Sequence, residues 1–154
     1  MAIAKLLLDT NVVVDYLNVR EPHYAAARLL MVAGYAGEFE LWISSSQVTD
    51  LIYILSDGGR RSEVDETMDR LRKLRAFVNV FPVSDREIDL MLTARWKDPE
   101  DYLLAEVALA LKADAIITRN ADDFPADLIP VMDCEEFFER LKEERGIDYA
   151  LMDL

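Results

Sequence analysis

The stretch KLLLDTN, residues 5–11, indicates the fold more directly than any other part of the chain. A continuous apolar run that ends at a polar group is typical of a short strand buried on both faces. We therefore expect a strand from Lys5 to Leu8, with Asp9, Thr10 and Asn11 at its carboxyl end.

Strand and helix patterns alternate along the rest of the chain. Apolar periodicity predicts a helix from Pro22 to about Tyr35, and Asp98-Pro99 is a favourable helix start, with aspartate as N-cap and proline in the first turn. Alternation of this kind implies parallel strands with helices on both faces. The fold class that we expect is α/β, with three layers (α/β/α) around a central, mainly parallel sheet. Further predicted elements are strands at 39–43, 78–83, 115–118 and 129–132, and helices that follow Ser44–Ser46, span 62–77, start at an Asp85 cap and span 135–144.

The length of 154 residues fits one domain with a substantial core. We expect that domain over residues 1–146, followed by a short C-terminal tail, residues 147–154, that takes part in an interface or is disordered. The apolar start of the chain ends at Asp9, far too early for a membrane span. We therefore expect a soluble, cytoplasmic protein that does not contact membranes.

Four aspartates are predicted to meet at one edge of the sheet. In open parallel sheets, ligands bind beyond the carboxyl ends of the strands, where the strand order reverses. Asp9 ends the first strand, Asp50 lies in the helix after the second strand, Asp101 lies in the first turn of the helix that starts at Pro99, and Asp123 follows the strand at 115–118. If these ends point the same way, the four carboxylates converge.

The residue types favour hard-cation chemistry at that edge. The chain has one histidine, His23, and one cysteine, Cys134, which argues against a zinc site of the usual ligand sets. Carboxylate oxygens are the ligands that Mg²⁺ and Mn²⁺ prefer. Two such ions would activate a water and stabilise the leaving oxygen in phosphodiester cleavage.

Four blocks of this sequence resemble, in order, the motifs of the PIN domain family, and especially its toxin components of bacterial and archaeal toxin–antitoxin pairs. The resemblance implies an endoribonuclease for single-stranded RNA that depends on Mg²⁺ or Mn²⁺, is often a homodimer and is often inhibited by a small antitoxin. It also implies that Asp9, Asp50, Asp101 and Asp123 are the catalytic, metal-binding residues, supported by Asn11, Thr118 and Asn120. Many members carry glutamate where this chain has Asp50. The matching blocks are LLLDTNVVVD (6–15), SSSQVTDLIY (44–53), DPED (98–101) and ITRNADDF (117–124).

The net charge of −13 opposes nucleic-acid binding, because proteins usually meet phosphate with a basic patch. The charge is uneven, however, and residues 60–75 carry a net charge of +2. This segment is the best candidate for contact with RNA phosphates. Its basic residues are Arg60, Arg61, Arg70, Arg72, Lys73 and Arg75.

Two other functions are compatible with parts of the sequence. The acidity and Asp50 favour a PIN domain that binds a protein partner and cleaves little RNA. A phosphoryl-transfer domain with an aspartyl-phosphate would also place an aspartate at the end of its first strand. Such domains, however, need a lysine near the end of a later strand, where this chain has Thr118, Arg119 and Asn120.

Overall fold

A five-stranded parallel sheet forms the centre of the computed structural model, which describes residues 4–151. The strand order is β3-β2-β1-β4-β5, so the chain runs outwards from β1 to β3 and then continues on the other side of β1. The strand order therefore reverses beside β1, as the predicted α/β fold requires for a ligand site there. The strands are β1 (Lys5–Leu8), β2 (Glu40–Ser44), β3 (Val78–Phe81), β4 (Ala115–Ile117) and β5 (Val131–Met132).

Strand β1 is central because both of its faces are apolar. Leu6 and Leu8 join one buried cluster and Leu7 joins the other, as the alternation of side chains along a strand requires. All three leucines are fully buried. Each face of the sheet is thus covered, which confirms the expected three-layer α/β/α architecture.

Helices form the two outer layers. One buried cluster takes residues from α1 to α4 and from α7, and the other takes its helical residues from α6, against which α5 packs. The helices are α1 (Thr10–Leu17), α2 (Tyr24–Tyr35), α3 (Val48–Leu55), α4 (Arg61–Leu74), α5 (Asp85–Ala94), α6 (Pro99–Leu111) and α7 (Cys134–Arg145).

Several local predictions are wrong in detail. The sequence did not indicate helix α1, and α2 starts two residues after Pro22. The N-cap of α5 is Ser84, which forms a capping box with Glu87, whereas Asp85 is the first helical residue. The amphipathic pattern of 62–77 predicts Met68 on the apolar face of α4, yet Met68 is 45% exposed, while the neighbouring Thr67 is buried.

Part of the C-terminal segment packs on the domain. The Tyr149 side chain is 1% exposed, lies against Phe39 and Phe138, and donates a hydrogen bond from its hydroxyl to Glu38 Oε2 over 3.0 Å. Residues 152–154 of the expected tail lie outside the described residues, and the boundary after residue 146 stays a prediction. Within residues 4–151, none of the helices combines the length and the apolar composition that crossing a membrane needs.

Candidate metal and active site

Asp9 lies at the carboxyl end of β1 and is the N-cap of α1. Its Oδ1 accepts a hydrogen bond from the Thr10 backbone N–H over 2.7 Å, and its Oδ2 accepts one from the Thr118 hydroxyl over 2.7 Å. The Asn11 amide nitrogen lies 3.4 Å from both Asp9 Oδ2 and Thr118 Oγ1. Because all these donors are neutral, they fix the orientation of the carboxylate without cancelling its charge.

Three of the predicted aspartates line one small cleft. Asp9, Asp50 and Asp101 line it together with Glu100, which sequence analysis did not identify as a site residue. Asp50 lies in the first turn of α3, and Glu100 and Asp101 lie in the first turn of α6. The first turns of both helices thus bring carboxylates to the edge of the sheet where β1 ends. For Glu100 the available signal was its position beside Asp101 in a helix that starts at this edge.

Asp123 lies in a short 3₁₀ turn after β4 and is not among the residues that line the cleft. Its charge nevertheless raises the pKa of both Asp9 and Asp101. Asn120 begins this turn, and its backbone N–H donates to Thr118 Oγ1 over 3.0 Å. Asp123 therefore lies outside the cleft and influences Asp9 and Asp101 through its charge.

Two side chains from the loop between α5 and α6 hold the turn that carries Asp123. The Trp96 indole N–H donates to the Asp123 carbonyl oxygen, and Lys97 Nζ donates to the Asp122 carbonyl oxygen, each over 2.8 Å. Asp98, in the same loop, is the N-cap of α6 and accepts from the Asp101 backbone N–H, as predicted. This loop therefore contacts both the start of α6, which carries Asp101, and the turn that carries Asp123. Trp96 was missed because its partner is 27 residues away along the chain.

Unneutralised negative charge is the main electrostatic property of the cleft. Burial, followed by the charges of Asp9, Asp98 and Asp123, raises the pKa of Asp101 to about 7. Burial also raises the pKa of Asp9, against the opposing effect of its hydrogen bonds. The pKa of Glu100 is raised by burial and by Asp50, Asp98 and Asp9. Nearby negative charge therefore makes ionisation of Asp9, Glu100 and Asp101 harder.

The chemistry of these donors fits a hard divalent cation. Every charged side chain that lines the small cleft is a carboxylate, and carboxylate oxygens are preferred ligands of Mg²⁺ and Mn²⁺. Among residues 4–151, no three acidic, histidine or cysteine side chains are close enough together to hold one ion. Mg²⁺ commonly takes one or two carboxylates and keeps several waters, so it does not require such a group.

Gln47 connects the ends of β1 and β2 beneath the cleft. Its amide nitrogen donates to the Leu8 carbonyl oxygen over 2.9 Å and to the Thr10 hydroxyl over 3.2 Å, and its oxygen accepts from the Ser44 backbone N–H over 2.7 Å. Gln47 is buried. Gln47 thereby fixes the start of α1, which follows Asp9, relative to the turn that leads into α3, which carries Asp50.

A second cavity, of about 360 Å³, lies between α1, α2 and the start of α7. It contains Asp15, which is paired with Arg119 at 2.6 Å, and the predicted structural residues His23 and Cys134. Burial raises the pKa of the Cys134 thiol to about 12, so this group is protonated at neutral pH. A protonated thiol is a poor nucleophile and a poor metal ligand.

The cations of residues 60–75 mostly contact groups of the protein itself. Arg70 donates to the Leu17 carbonyl oxygen, and Arg75 donates to the Val78 carbonyl oxygen over 3.0 Å. Arg60 pairs with Asp57, and Arg72 pairs with Asp69, both at 3.3 Å on the surface. Arg61 and Lys73 complete this group. Its contact with RNA stays a prediction.

Comparisons with known proteins agree with the fold and with the family resemblance of the sequence. The sequence model of the family described as PIN domain matches residues 5–122. The chain is 27% identical over 146 residues to Ribonuclease VapC1 of Aquifex aeolicus (strain VF5), covering 88% of this chain and 94% of that protein.

Among solved structures, the fold is similar to a chain in the crystal structure of VapBC2 from Rickettsia felis bound to a DNA fragment from their promoter. The TM-score is 0.59 at 18% identity, and the match covers 84% of this chain and 98% of that chain. The family match over residues 5–122 confirms the resemblance found in the sequence, and the chain belongs to the PIN domain family.

Proposed function

We propose that this chain is a Mg²⁺- or Mn²⁺-dependent endoribonuclease that cleaves single-stranded RNA. The observation that carries the proposal is that Asp9, Asp50 and Asp101 line one cleft at the edge where the strand order reverses. Membership of the PIN domain family and the similarity to a protein named Ribonuclease VapC1 support the same activity.

In this proposal the carboxylates hold the cation. Asp9, Asp50 and Asp101, which line the cleft, would hold it directly or through bound water, with Glu100 in the same cleft and Asp123 adding negative charge from the turn after β4. A bound divalent cation would lower the pKa of a water molecule and stabilise the leaving oxygen of the phosphodiester. Thr118 and Asn11 keep Asp9 oriented by donating hydrogen bonds towards Oδ2. No histidine base is required, because the cation itself favours deprotonation of the water.

We further propose that the chain is the toxin of a toxin–antitoxin pair, acts in the cytoplasm and forms a homodimer. Support for a protein partner comes from the similar chain in the VapBC2 structure. The net charge of −13 fits an antitoxin whose contact surface is basic. An antitoxin that covers the acidic cleft would exclude RNA from it.

The second candidate function is a PIN domain that binds a protein partner and has little nuclease activity. The shorter side chain of Asp50 and the high net negative charge favour it. It predicts metal-independent binding to a basic partner and no RNA turnover, whereas the first proposal predicts RNA cleavage that depends on a divalent cation. The aspartyl-phosphate alternative has no support, because Thr118, Arg119 and Asn120 occupy the segment where such domains need a lysine.

The test is cleavage of labelled single-stranded RNA by purified protein in Mg²⁺, Mn²⁺ or chelator. We expect cutting only with metal, and a loss of roughly a hundredfold or more in Asp9→Asn, because cation binding supplies several kcal/mol of transition-state stabilisation. Asp89→Asn, an exposed aspartate on α5, is the matched control and should cut normally. Equal cutting by Asp9→Asn and wild type would refute the assignment of Asp9 to the active site. Absence of cutting by folded wild type would favour the second candidate function, a PIN domain that binds a protein partner.

A further inference from the structure

The acidic cleft continues into a larger cleft of about 470 Å³. The two clefts share Asp9, Thr10, Asp50 and Glu100, so any molecule in the larger one lies directly beside the carboxylates. The outer part of the larger cleft has a different character. It is lined by Arg20, Tyr53 and Ile54.

Tyr53 presents an aromatic ring to this cleft. It lies on α3, three residues after Asp50, and residues at that spacing share one face of a helix. Its side chain is 62% exposed, although burial of an aromatic ring normally stabilises a fold. The exposed ring is therefore accessible to a molecule that enters the cleft.

The ring is nevertheless supported on one side by the turn at Gly58 and Gly59. A Cβ atom at Gly58 would lie 3.7 Å from Tyr53 Oη, and one at Gly59 would lie 3.7 Å from Tyr53 Cδ2. Both glycines have positive φ, 79° and 84°, a conformation that side-chain-bearing residues rarely adopt. The turn therefore runs beside one part of the ring, and a side chain on either glycine would contact Tyr53.

Arg20 is the one cation among the residues that line the larger cleft. Its guanidinium lies 3.7 Å from Asp15, whose two oxygens already accept hydrogen bonds from Arg119 over 2.6 and 3.2 Å. The Arg20 side chain is 48% exposed. It can therefore form a charge-assisted hydrogen bond to an additional anion.

We propose that Tyr53 and Arg20 form a subsite for the nucleotide next to the scissile phosphate, with an unpaired base stacked on Tyr53 and its phosphate paired with Arg20. The inference rests on the proposed function. A protein helix in this cleft would need a continuous apolar surface, but Val14 and Ile54 are the two aliphatic residues among the nine that line it. Stacking also gives this acidic chain affinity for RNA that does not depend on a basic patch.

The experiment uses a fluorescein-labelled 12-nucleotide oligouridylate with the full-length protein. The half-saturating protein concentration and the maximal rate are measured separately in single-turnover cleavage. Tyr53→Ala should raise the half-saturating concentration roughly five- to 150-fold, the range for loss of one base–aromatic stack. Tyr53→Phe keeps the ring and should match the wild type. Tyr35→Ala removes a tyrosine that is 72% exposed at the end of α2, and should have no effect.

An abasic nucleotide moved one position at a time along the RNA identifies the stacked base. At one position, the abasic nucleotide should weaken RNA binding by the wild type as much as Tyr53→Ala weakens binding of the intact RNA. At that position it should cause no further loss of affinity in the Tyr53→Ala variant. Arg20→Gln should lower the slope of log affinity against log salt by about 0.7, the value for one phosphate contact in a single strand. Arg20→Lys should restore that slope.

The proposal is overturned if Tyr53→Ala binds RNA like the wild type. It is also overturned if, at every position of the abasic nucleotide, the loss of RNA affinity caused by Tyr53→Ala adds fully to the loss caused by the abasic nucleotide. The former result would assign this cleft to a protein partner. If the wild type cuts no RNA, the proposed nuclease function fails, and the same comparison is made by fluorescence anisotropy in chelator. The thermal midpoint of each variant shows whether a loss arises from unfolding.

Discussion

Helix α1 has a buried carboxylate near each end, and the two differ in how their charge is compensated. Asp15, whose side chain is 2% exposed, pairs with Arg119 at 2.6 Å and with Arg20 at 3.7 Å. Asp9 accepts hydrogen bonds from neutral groups, and its pKa is raised first by burial and then by the charges of Asp98 and Asp123. Asp15 therefore belongs to an ion pair that stabilises the fold, whereas the charge of Asp9 has no cationic partner within residues 4–151 and would be compensated by a cation under the proposed function.

Because, in the described part of the chain, the charge of Asp15 is paired and that of Asp9 is not, mutations at the two sites should affect stability and cation binding differently. Removal of a partner from a buried ion pair leaves an uncompensated charge and destabilises the fold. Removal of one acid from a group of like charges relieves repulsion, so it should spare the fold and weaken the binding of a cation.

The largest expected effect on stability is that of Arg119→Met. It leaves Asp15 with Arg20 alone at 3.7 Å, and we expect a loss of about 3 kcal/mol in the free energy of unfolding, the low end of the range for breaking a buried pair. Urea unfolding followed by tryptophan fluorescence measures it. Arg60→Met, which breaks the exposed pair with Asp57, is the control and should cost less than about 1 kcal/mol. An equal cost for the two variants would mean that the Asp15 pair is not structural.

The next effect tests how the turn with Asp123 is held. Trp96→Phe keeps an aromatic ring but loses the hydrogen bond to the Asp123 carbonyl oxygen, which should cost about 0.5–1.5 kcal/mol. It should also weaken Mn²⁺ binding, because Asp123 loses part of its support. The matched control is Trp42→Phe, which loses a 3.3 Å hydrogen bond to Glu40 in β2. A similar change of Mn²⁺ affinity in both variants would exclude a positioning role for Trp96.

A third effect is a difference in the pH dependence of stability without metal. The pKa of Asp101 is raised from 3.8 to about 7, so the folded state favours the protonated acid. The stability that this preference contributes is complete below about pH 4 and is lost as the pH rises through about 7. In chelator, the thermal midpoint of wild type should therefore fall more between pH 5 and pH 8 than that of Asp101→Asn. Asp89→Asn should behave like wild type, and parallel curves for wild type and Asp101→Asn would contradict the assignment.

Much of the fold could be predicted because local rules and tertiary structure agree. The apolar run ending at Leu8 is a buried strand, and Asp98-Pro99 starts a helix, as the sequence indicated. Helix α1 was not predicted because Val12, Val13 and Val14 favour a strand locally. Their burial, at 1% exposure or less, stabilises the helix despite this preference.

The candidate site was predictable only in part, for a related reason. Polar residues just after a strand, such as Asp9 and Asp123, and acids near a helix start, such as Asp50 and Asp101, are visible in a sequence, and these positions are the basis of the prediction. The contacts that hold them are not visible, since Trp96 meets Asp123 across 27 residues and Thr118 meets Asp9 across 109. The same limit applies to Met68 and Thr67 on α4. Helical periodicity predicts an apolar face, but it does not show which residue at the edge of that face is buried by the rest of the protein.

The most direct test of the central claim, that uncompensated carboxylates in the cleft hold a divalent cation, is Mn²⁺ binding followed by electron paramagnetic resonance. The wild type should bind Mn²⁺, and Asp101→Asn should bind it at least about tenfold more weakly, the lower bound for loss of a group that supports a metal site. Glu139→Gln, on the exposed face of α7, controls for the loss of one negative charge and should bind like the wild type. Equal Mn²⁺ affinity of wild type and Asp101→Asn would contradict the account.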